Sequence, residues 1–466
     1  VADLDASSVS YIDNGSSTDG VLDLSLDGVR GRLDASLVID PGTVVKIRGA
    51  RFELGYGTQL LAEGTESNPV IFTSVFDDRF GAGGTFDTNN DANDTGGGTN
   101  ANYGDWAGIY ASPTSTISLD HATVAYAGGI SLLEGGQARG FNALELQQAN
   151  GRITNSRFEF NEDGQDGAGP AGRFGRLINT PSTILVRGAQ PIIVGTTFTD
   201  NRGSIIDIDS ESMTAERLID AGRQTGASDR LSVLDDNYGP MIRFNRYEDT
   251  VTEGNASLRQ LSGLEIRGGT LTSESVWDDT DIVHMLFDGL TVENFHSSGG
   301  LRLMSRVDES LVVKLTGSGT PNSATLGTGI TATGSVGDIQ DRIGGAIHII
   351  GQPGSPVVLT SLQDDTVGAG LKPDGSQFTD TNGDGIQSRP EPNDWRSVFL
   401  DQYSNDRNVD VITEFELPTE VAPGLNGSIE NAQLLGELSP NLFTGDENRR
   451  HCFEVEGYLS SETDID

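Results

Sequence analysis

Asn68-Pro69-Val70-Ile71-Phe72-Thr73-Ser74-Val75-Phe76-Asp77-Asp78-Arg79-Phe80-Gly81-Ala82-Gly83 reappears, far along the same chain, as Ser355-Pro356-Val357-Val358-Leu359-Thr360-Ser361-Leu362-Gln363-Asp364-Asp365-Thr366-Val367-Gly368-Ala369-Gly370. Each copy continues through an Asp-Thr-Asn-x-Asp run, Asp87 to Asp91 and Asp380 to Asp384, and reaches an Asp-Trp pair, Asp105-Trp106 and Asp394-Trp395. A strand, an acidic loop and a second strand repeated within one chain are the mark of a stacked, quasi-one-dimensional architecture.

The surrounding sequence agrees. From Leu37 onward, apolar runs of three to five residues alternate with turn residues: Leu37-Val38-Ile39, Pro41-Gly42, Val44-Val45-Lys46-Ile47, Gly49, Arg51-Phe52-Glu53-Leu54. Runs this short, broken by glycine, suit strands; a helix of comparable burial needs ten or more residues. Asn150-Gly151-Arg152-Ile153-Thr154-Asn155-Ser156-Arg157-Phe158-Glu159-Phe160-Asn161 resembles Gln190-Pro191-Ile192-Ile193-Val194-Gly195-Thr196-Thr197-Phe198-Thr199-Asp200-Asn201. Both have two strands at a short corner and both end in asparagine, Asn161 and Asn201, which tolerates the left-handed conformation such corners need and whose amide can stack on the same residue one coil above. The fold expected is all-β, a right-handed parallel β-helix solenoid with long Asp-, Asn- and Gly-rich excursions at 80–104, 162–176 and 366–393. Only Ser212 to Gly222 carries a helical period, with Met213, Leu218 and Ile219 on one face.

Composition narrows the function. The 466 residues hold 61 glycines and only 6% aromatic residues, as befits many turns and a narrow core. A formal charge of -39 repels nucleic acid and anionic membranes and favours divalent cations, although a salty medium alone would select the same surface. The three lysines are Lys46, Lys314 and Lys372, so most cations are guanidinium groups suited to bidentate carboxylate pairing. One cysteine, Cys452, precludes an intrachain disulfide, and no apolar run is long enough to span a membrane. The expected organisation is a lead-in or cap at 1–36, the solenoid at 37–417, and a linker with the start of a β-sandwich-type domain at 418–466, the whole being a processed piece of a larger protein.

The best-defined site is Asp380-Thr381-Asn382-Gly383-Asp384-Gly385-Ile386-Gln387-Ser388-Arg389-Pro390-Glu391, which fits the calcium-loop pattern at every required position. Asp380, Asn382 and Asp384 would supply side-chain oxygens, Ile386 its carbonyl, and Glu391 both carboxylate oxygens. Pro390 forbids an exiting helix, so the loop would hang on a β-scaffold. In the first copy Asp87, Asn89 and Asp91 keep the leading positions, but Ala92 replaces the glycine and Gly98 the closing acid. Asp77 and Asp364, each the first of an Asp-Asp pair, would give an oxygen to the loop metal or cap a turn. Acids and glycines also build solvated turns without any ion. Trp106 and Trp395 read as core plugs more readily than as sugar platforms.

The stretch Gly64-Thr65-Glu66-Ser67-Asn68-Pro69-Val70-Ile71-Phe72-Thr73-Ser74, the Asp-Thr-Asn-Gly-Asp-Gly run and Gly104-Asp105-Trp106-Ala107-Gly108-Ile109 resemble bacterial secreted parallel β-helix proteins, including giant adhesin-like surface proteins of planctomycete-type bacteria. The tail from Val455 resembles the opening strand of a pre-peptidase C-terminal-type β-sandwich. The resemblance implies an extracellular location at the cell surface and a structural or adhesive role, with other copies of the chain or surface glycans as partners. A polysaccharide lyase, glycoside hydrolase or carbohydrate-binding module is the rival. A glycosidase needs two carboxylates about 5 to 9.5 Å apart in a groove, and abundant acids cannot settle that. The five histidines, His121, His284, His296, His348 and His451, are scattered, so no catalytic residue is assigned. Arg243, Arg267 or Arg302 could act as a lyase base. At roughly 20 to 25 residues per coil and about 4.8 Å per rung, the expected stack is on the order of 60 to 80 Å long.

Overall fold

Short strands require frequent corners, and the corners fall into columns with a common backbone. His121, Asn155, Gly195 and Phe244 have φ of 47°, 49°, 67° and 58°, and Tyr126, Phe160 and Asp200 have 58°, 55° and 48°. A single left-handed residue turns the chain sharply between two extended segments, so each column marks an edge where one sheet gives way to the next. The asparagines expected to take this conformation, Asn161 and Asn201, do not: the left-handed residue is the one before each, Phe160 or Asp200, and the asparagine amides stack on one another instead. In the computed structural model of the chain, the described residues are 35–81, 87–88, 100–133, 136–165, 173, 178–226, 229–231, 238–250, 258–293, 300–317, 327–334, 345–385, 387–401, 404, 409–413 and 452–456.

The described residues are all-β, without an α-helix, and nearly every ladder is parallel. Sheet 1 stacks Ser36–Ile39, Gln59–Glu63, Thr116–Asp120, Asn150–Thr154, Ile192–Val194 and Met241–Arg243. Sheet 2 stacks Val44–Ile47, Val70–Ser74, Ala122–Ala125, Arg157–Glu159, Thr197–Thr199 and Arg246–Glu248. Sheet 3 has nine strands, from Arg51–Leu54 to Val357–Ser361. The chain visits sheets 1, 2 and 3 in that order, round after round, and each strand pairs with the one from the next round. This is compatible with a solenoid or β-helix. A short antiparallel pair, Ile130–Leu132 with Ala138–Gly140, interrupts one round.

After Glu248 the winding shifts. Sheet 3 continues unbroken, but sheets 1 and 2 end, and their places in the order are taken by a four-stranded sheet beginning at Gly269–Leu271 and a three-stranded sheet beginning at Ser275–Trp277. The exposed edges at this step are capped. Asp279 and Asp281 carboxylates accept from the amides of Ile242 and Phe244, and the Leu371 carbonyl accepts from Tyr247 at 3.0 Å. The two sequence copies therefore lie on different faces. Val70–Ser74 belongs to sheet 2, whereas Val357–Ser361 is the last strand of sheet 3.

Inward positions fill one apolar core. Ile109, Leu144, Ile184, Ile206, Leu264 and Val313 lie within the ladder of sheet 3 and are fully buried. Phe158, Phe198 and Tyr247 stack at 5.7 and 6.3 Å between centroids along sheet 2. An amide column runs beside them: Asn161 Nδ2 donates to Asn201 Oδ1 at 2.8 Å, and Asn201 Nδ2 to Gln260 Oε1 at 3.0 Å. Gly108, at φ 123°, lets adjacent rounds close up, since a Cβ there would lie 2.2 Å from the Asn142 carbonyl.

Two expectations are corrected. Ser212 to Gly222 is not a helix: Ser210–Ser212 forms one 3-10 turn, after which Leu218 packs on the outer face of sheet 1 and Ile219 is 84% exposed. The excursion at 366–393 is not simply thrown outward. Its Phe378 is buried against Tyr247, with ring centroids 5.7 Å apart, and its Thr381 carbonyl accepts from Ser262. This excursion fills the step in place of a missing strand. The first 34 residues and nearly all of 418–466 lie outside the described residues; Cys452–Glu456 pairs in parallel with Val409–Thr413.

Candidate metal centre

The root of the second acidic loop is built on sheet 3. Thr360 Oγ1 donates to Asp364 at 2.6 Å, and Thr366 donates to the same carboxylate through its backbone amide, at 3.0 Å, and its hydroxyl. Asp364 is thereby a turn cap. Its neighbour Asp365 lies in the same turn past the strand end at Ser361, and its carboxylate meets the loop instead. Carboxylate oxygens of Asp365, Asp380 and Asp384 lie within 4.8 Å of one another.

The loop geometry accounts for this convergence. Asp380 accepts from the backbone amides of Asp384 at 3.1 Å and Gly385 at 2.8 Å, which folds the loop back over its own first residue. Gly383 and Gly385, at φ 63° and 74°, permit the reversal. Asn382 Nδ2 donates to Asp384 Oδ2 at 3.1 Å, and its Oδ1 accepts from the Asp384 amide at 3.3 Å; Ser388 also donates to Asp384. Asp380, Asn382 and Asp384 are thus brought together. Ile386 lies outside the described residues.

Glu391 is not part of the cluster. It is exposed, and its backbone amide donates to Asp394 Oδ2 at 2.8 Å. The first copy repeats that turn with Asn102, whose amide donates to Asp105 Oδ2 at 3.0 Å. In both copies the aspartate before tryptophan also accepts from the last serine of the strand, Ser74 or Ser361. The closing acid of the linear motif coincides with a turn the repeat makes without it.

Lys314 is the residue that the linear motif does not contain. It sits opposite Thr360 in the sheet 3 ladder, fully buried, and its ammonium donates to the carbonyls of Asp364 at 2.7 Å and Thr379 at 3.1 Å. Burial pushes Lys314 down to about 8, against the pull of Asp365, Asp364 and Asp380. Burial, then the nearby Asp380, pushes Asp365 up to about 6, with Lys314 acting in the opposite sense. The cluster of three carboxylates thus has one ammonium near it, bonded to backbone carbonyls, and Asp365 Oδ1 is a buried oxygen with no hydrogen-bond partner. An oxygen-only donor set with surplus negative charge and an unused buried oxygen fits a hard divalent cation such as calcium.

The first copy has the same frame. Lys46 lies opposite Thr73, and its ammonium is 3.9 Å from the buried Asp78 carboxylate. Asp77, the counterpart of Asp364, accepts from Thr73 at 2.5 Å and from Arg79. Arg79 also pairs with Glu159 at 2.8 Å and lies over the Tyr126 and Phe160 rings, so this exit is tied down by a guanidinium. Asp87 is partly buried; Asn89 and Asp91 lie outside the described residues.

The remaining candidates are committed elsewhere. Arg243 pairs with Glu309, Arg267 with Asp207 and Arg302 with Glu274. His284 is fully buried, stacks on Trp277 at 5.5 Å, and is held neutral, pushed down to about 3 by burial; His348 is exposed. Trp106 is a buried plug whose Nε1 donates to the Ala125 carbonyl at 2.8 Å, and Trp395 is partly buried against the same core. No described helix is long and apolar enough to cross a membrane. Comparison with protein-family models, with curated proteins and with solved structures gives no match.

Proposed function

We propose that the chain is a right-handed parallel β-helix serving as a non-enzymatic structural or adhesive segment of an extracellular, surface-located protein, with calcium held at Asp365, Asp380 and Asp384. The observation that carries this reading is the place of the acidic loop. It fills the step where two sheets end, and its root joins the last strand of sheet 3 to the buried Lys314. A cation there would fasten the filling segment to the stack and offset part of the surplus negative charge. The reading is supported by the parallel rounds, by the hard-oxygen donor set and by the sequence resemblance to adhesin-like surface proteins.

Metal analysis after equilibrium dialysis against calcium tests the site. One bound calcium per chain, lost in Asp380→Ala and retained in Glu391→Gln, is expected. Equal calcium in wild type and Asp380→Ala would remove the loop from the account.

A further inference from the structure

The step in the winding leaves a second feature that the cation does not use. A cleft of about 670 Å³ opens there, within the size range of small-ligand sites. Its walls include Phe244, Arg246, Asp281, Asp308, Glu309 and Gln377, and the backbone of 368–371 forms part of its surface.

Phe244 is out of character for its position. It occupies the corner column whose other members are His121, Asn155 and Gly195, at φ 58°. A bulky side chain in the left-handed region is strained, and residues held so tend to sit where function requires them. Elsewhere the strain is offset by packing: Tyr126 and Phe160, in the neighbouring column, stack on each other at 5.5 Å. Phe244 is instead 51% exposed, with the Arg243 guanidinium 5.0 Å from its ring centroid. Its backbone is nevertheless fixed, because its amide donates to the buried Asp281 carboxylate.

Polar groups surround the ring. Glu309 is held by Thr280 at 2.6 Å and Arg243 at 2.7 Å, and Asp308 and Gln377 are exposed at the rim. A rigid aromatic face beside oriented carboxylates, an amide and a guanidinium matches a pyranose ring, which has an apolar face and a hydroxyl edge. The three carboxylates are themselves paired, Asp281 and Glu309 with Arg243 and Asp308 with Arg306, so the cleft is close to charge-balanced and suits a sugar without net charge. We propose that this cleft binds a neutral or N-acetylated amino-sugar oligosaccharide, with Phe244 as the stacking platform.

Isothermal titration of the full chain with cellotetraose, tetra-N-acetylchitotetraose and tetragalacturonate tests this. At least one of the two uncharged probes binds saturably, and tetragalacturonate does not. Phe244→Gly keeps the left-handed backbone and folds, and it weakens that binding by roughly tenfold or more. Phe399→Ala, at a 54% exposed aromatic outside the cleft, leaves binding unchanged. No saturable binding of either uncharged probe, tetragalacturonate binding as tightly, or unchanged affinity in Phe244→Gly overturns the proposal. Calcium content is independent of all three outcomes.

Discussion

Lys314 and Asp365 show how a site can be half visible in a sequence. Asp380, Asn382 and Asp384 follow a linear spacing, so their convergence was legible from the chain alone. Lys314 was not, because its partner Thr360 is reached only after an intervening round of strands, and ladder register is absent from linear order. Asp364 and Asp365 are adjacent in the turn after Ser361, and Asp365 is left to face the loop because Thr360 and Thr366 hold Asp364 as a cap. The buried ammonium occupies part of the electrostatic space a metal would use. A unit charge a few ångströms away is worth about 4 kcal/mol at an effective dielectric constant near 20. Lys314→Met should therefore lower the unfolding midpoint in chelator and tighten calcium binding by roughly tenfold or more. Calcium titration followed by fluorescence or calorimetry reads both, and weaker binding in the variant would contradict this assignment.

At the scale of the element, the ladders carry specificity as well as stability. Asn201 accepts from the Asn161 side chain and backbone and donates to the Phe158 carbonyl and Gln260. Asn201→Leu leaves several of these groups buried without partners, so a loss of roughly 3 kcal/mol or more is expected in denaturant unfolding. This column was legible because asparagine recurs at equivalent corners. The excursions were less so: Leu218 looks helical in sequence, yet it packs on Ile192, Val194 and Met241, which sheet 1 turns outward. Similar cover hides Glu145, Leu185, Asp207 and Lys314 on the outer side of sheet 3.

Asp207 lies directly opposite Glu265 in that ladder, and Arg267 pairs with Asp207. Burial, then the Asp207 charge, raises Glu265 above its ordinary value of 4.5. The folded chain thus keeps a proton that the unfolded chain has released. Stability from this group is greatest below pH 4.5 and declines as pH rises toward neutrality and beyond, at up to about 1.4 kcal/mol per pH unit. Glu265→Gln should flatten that decline and raise the midpoint at mildly alkaline pH, as thermal unfolding across a pH series would show. A steeper decline in the variant would count against the pair.

Over the whole molecule, the repeat announced a stacked architecture but not its phase. The second copy lies one sheet further round than the first, because the step after Glu248 leaves sheet 3 continuous while its neighbours restart. Among the described residues the stack is also shorter than coil arithmetic implied. Nine strands in sheet 3 at about 4.8 Å span about 40 Å, since excursions consume residues without adding rungs. Those excursions seal the step and the outer faces, and the acidic one at 366–393 contributes both a core aromatic and two of the three clustered carboxylates.

Calorimetric unfolding of wild type and Asp384→Asn, each in millimolar calcium and in excess chelator, bears most directly on the cation-fastened stack. Wild type should unfold several degrees higher with calcium, as expected when a ligand binds only the folded state, and Asp384→Asn should show little or no shift. Midpoints in wild type that are indifferent to calcium would contradict the account.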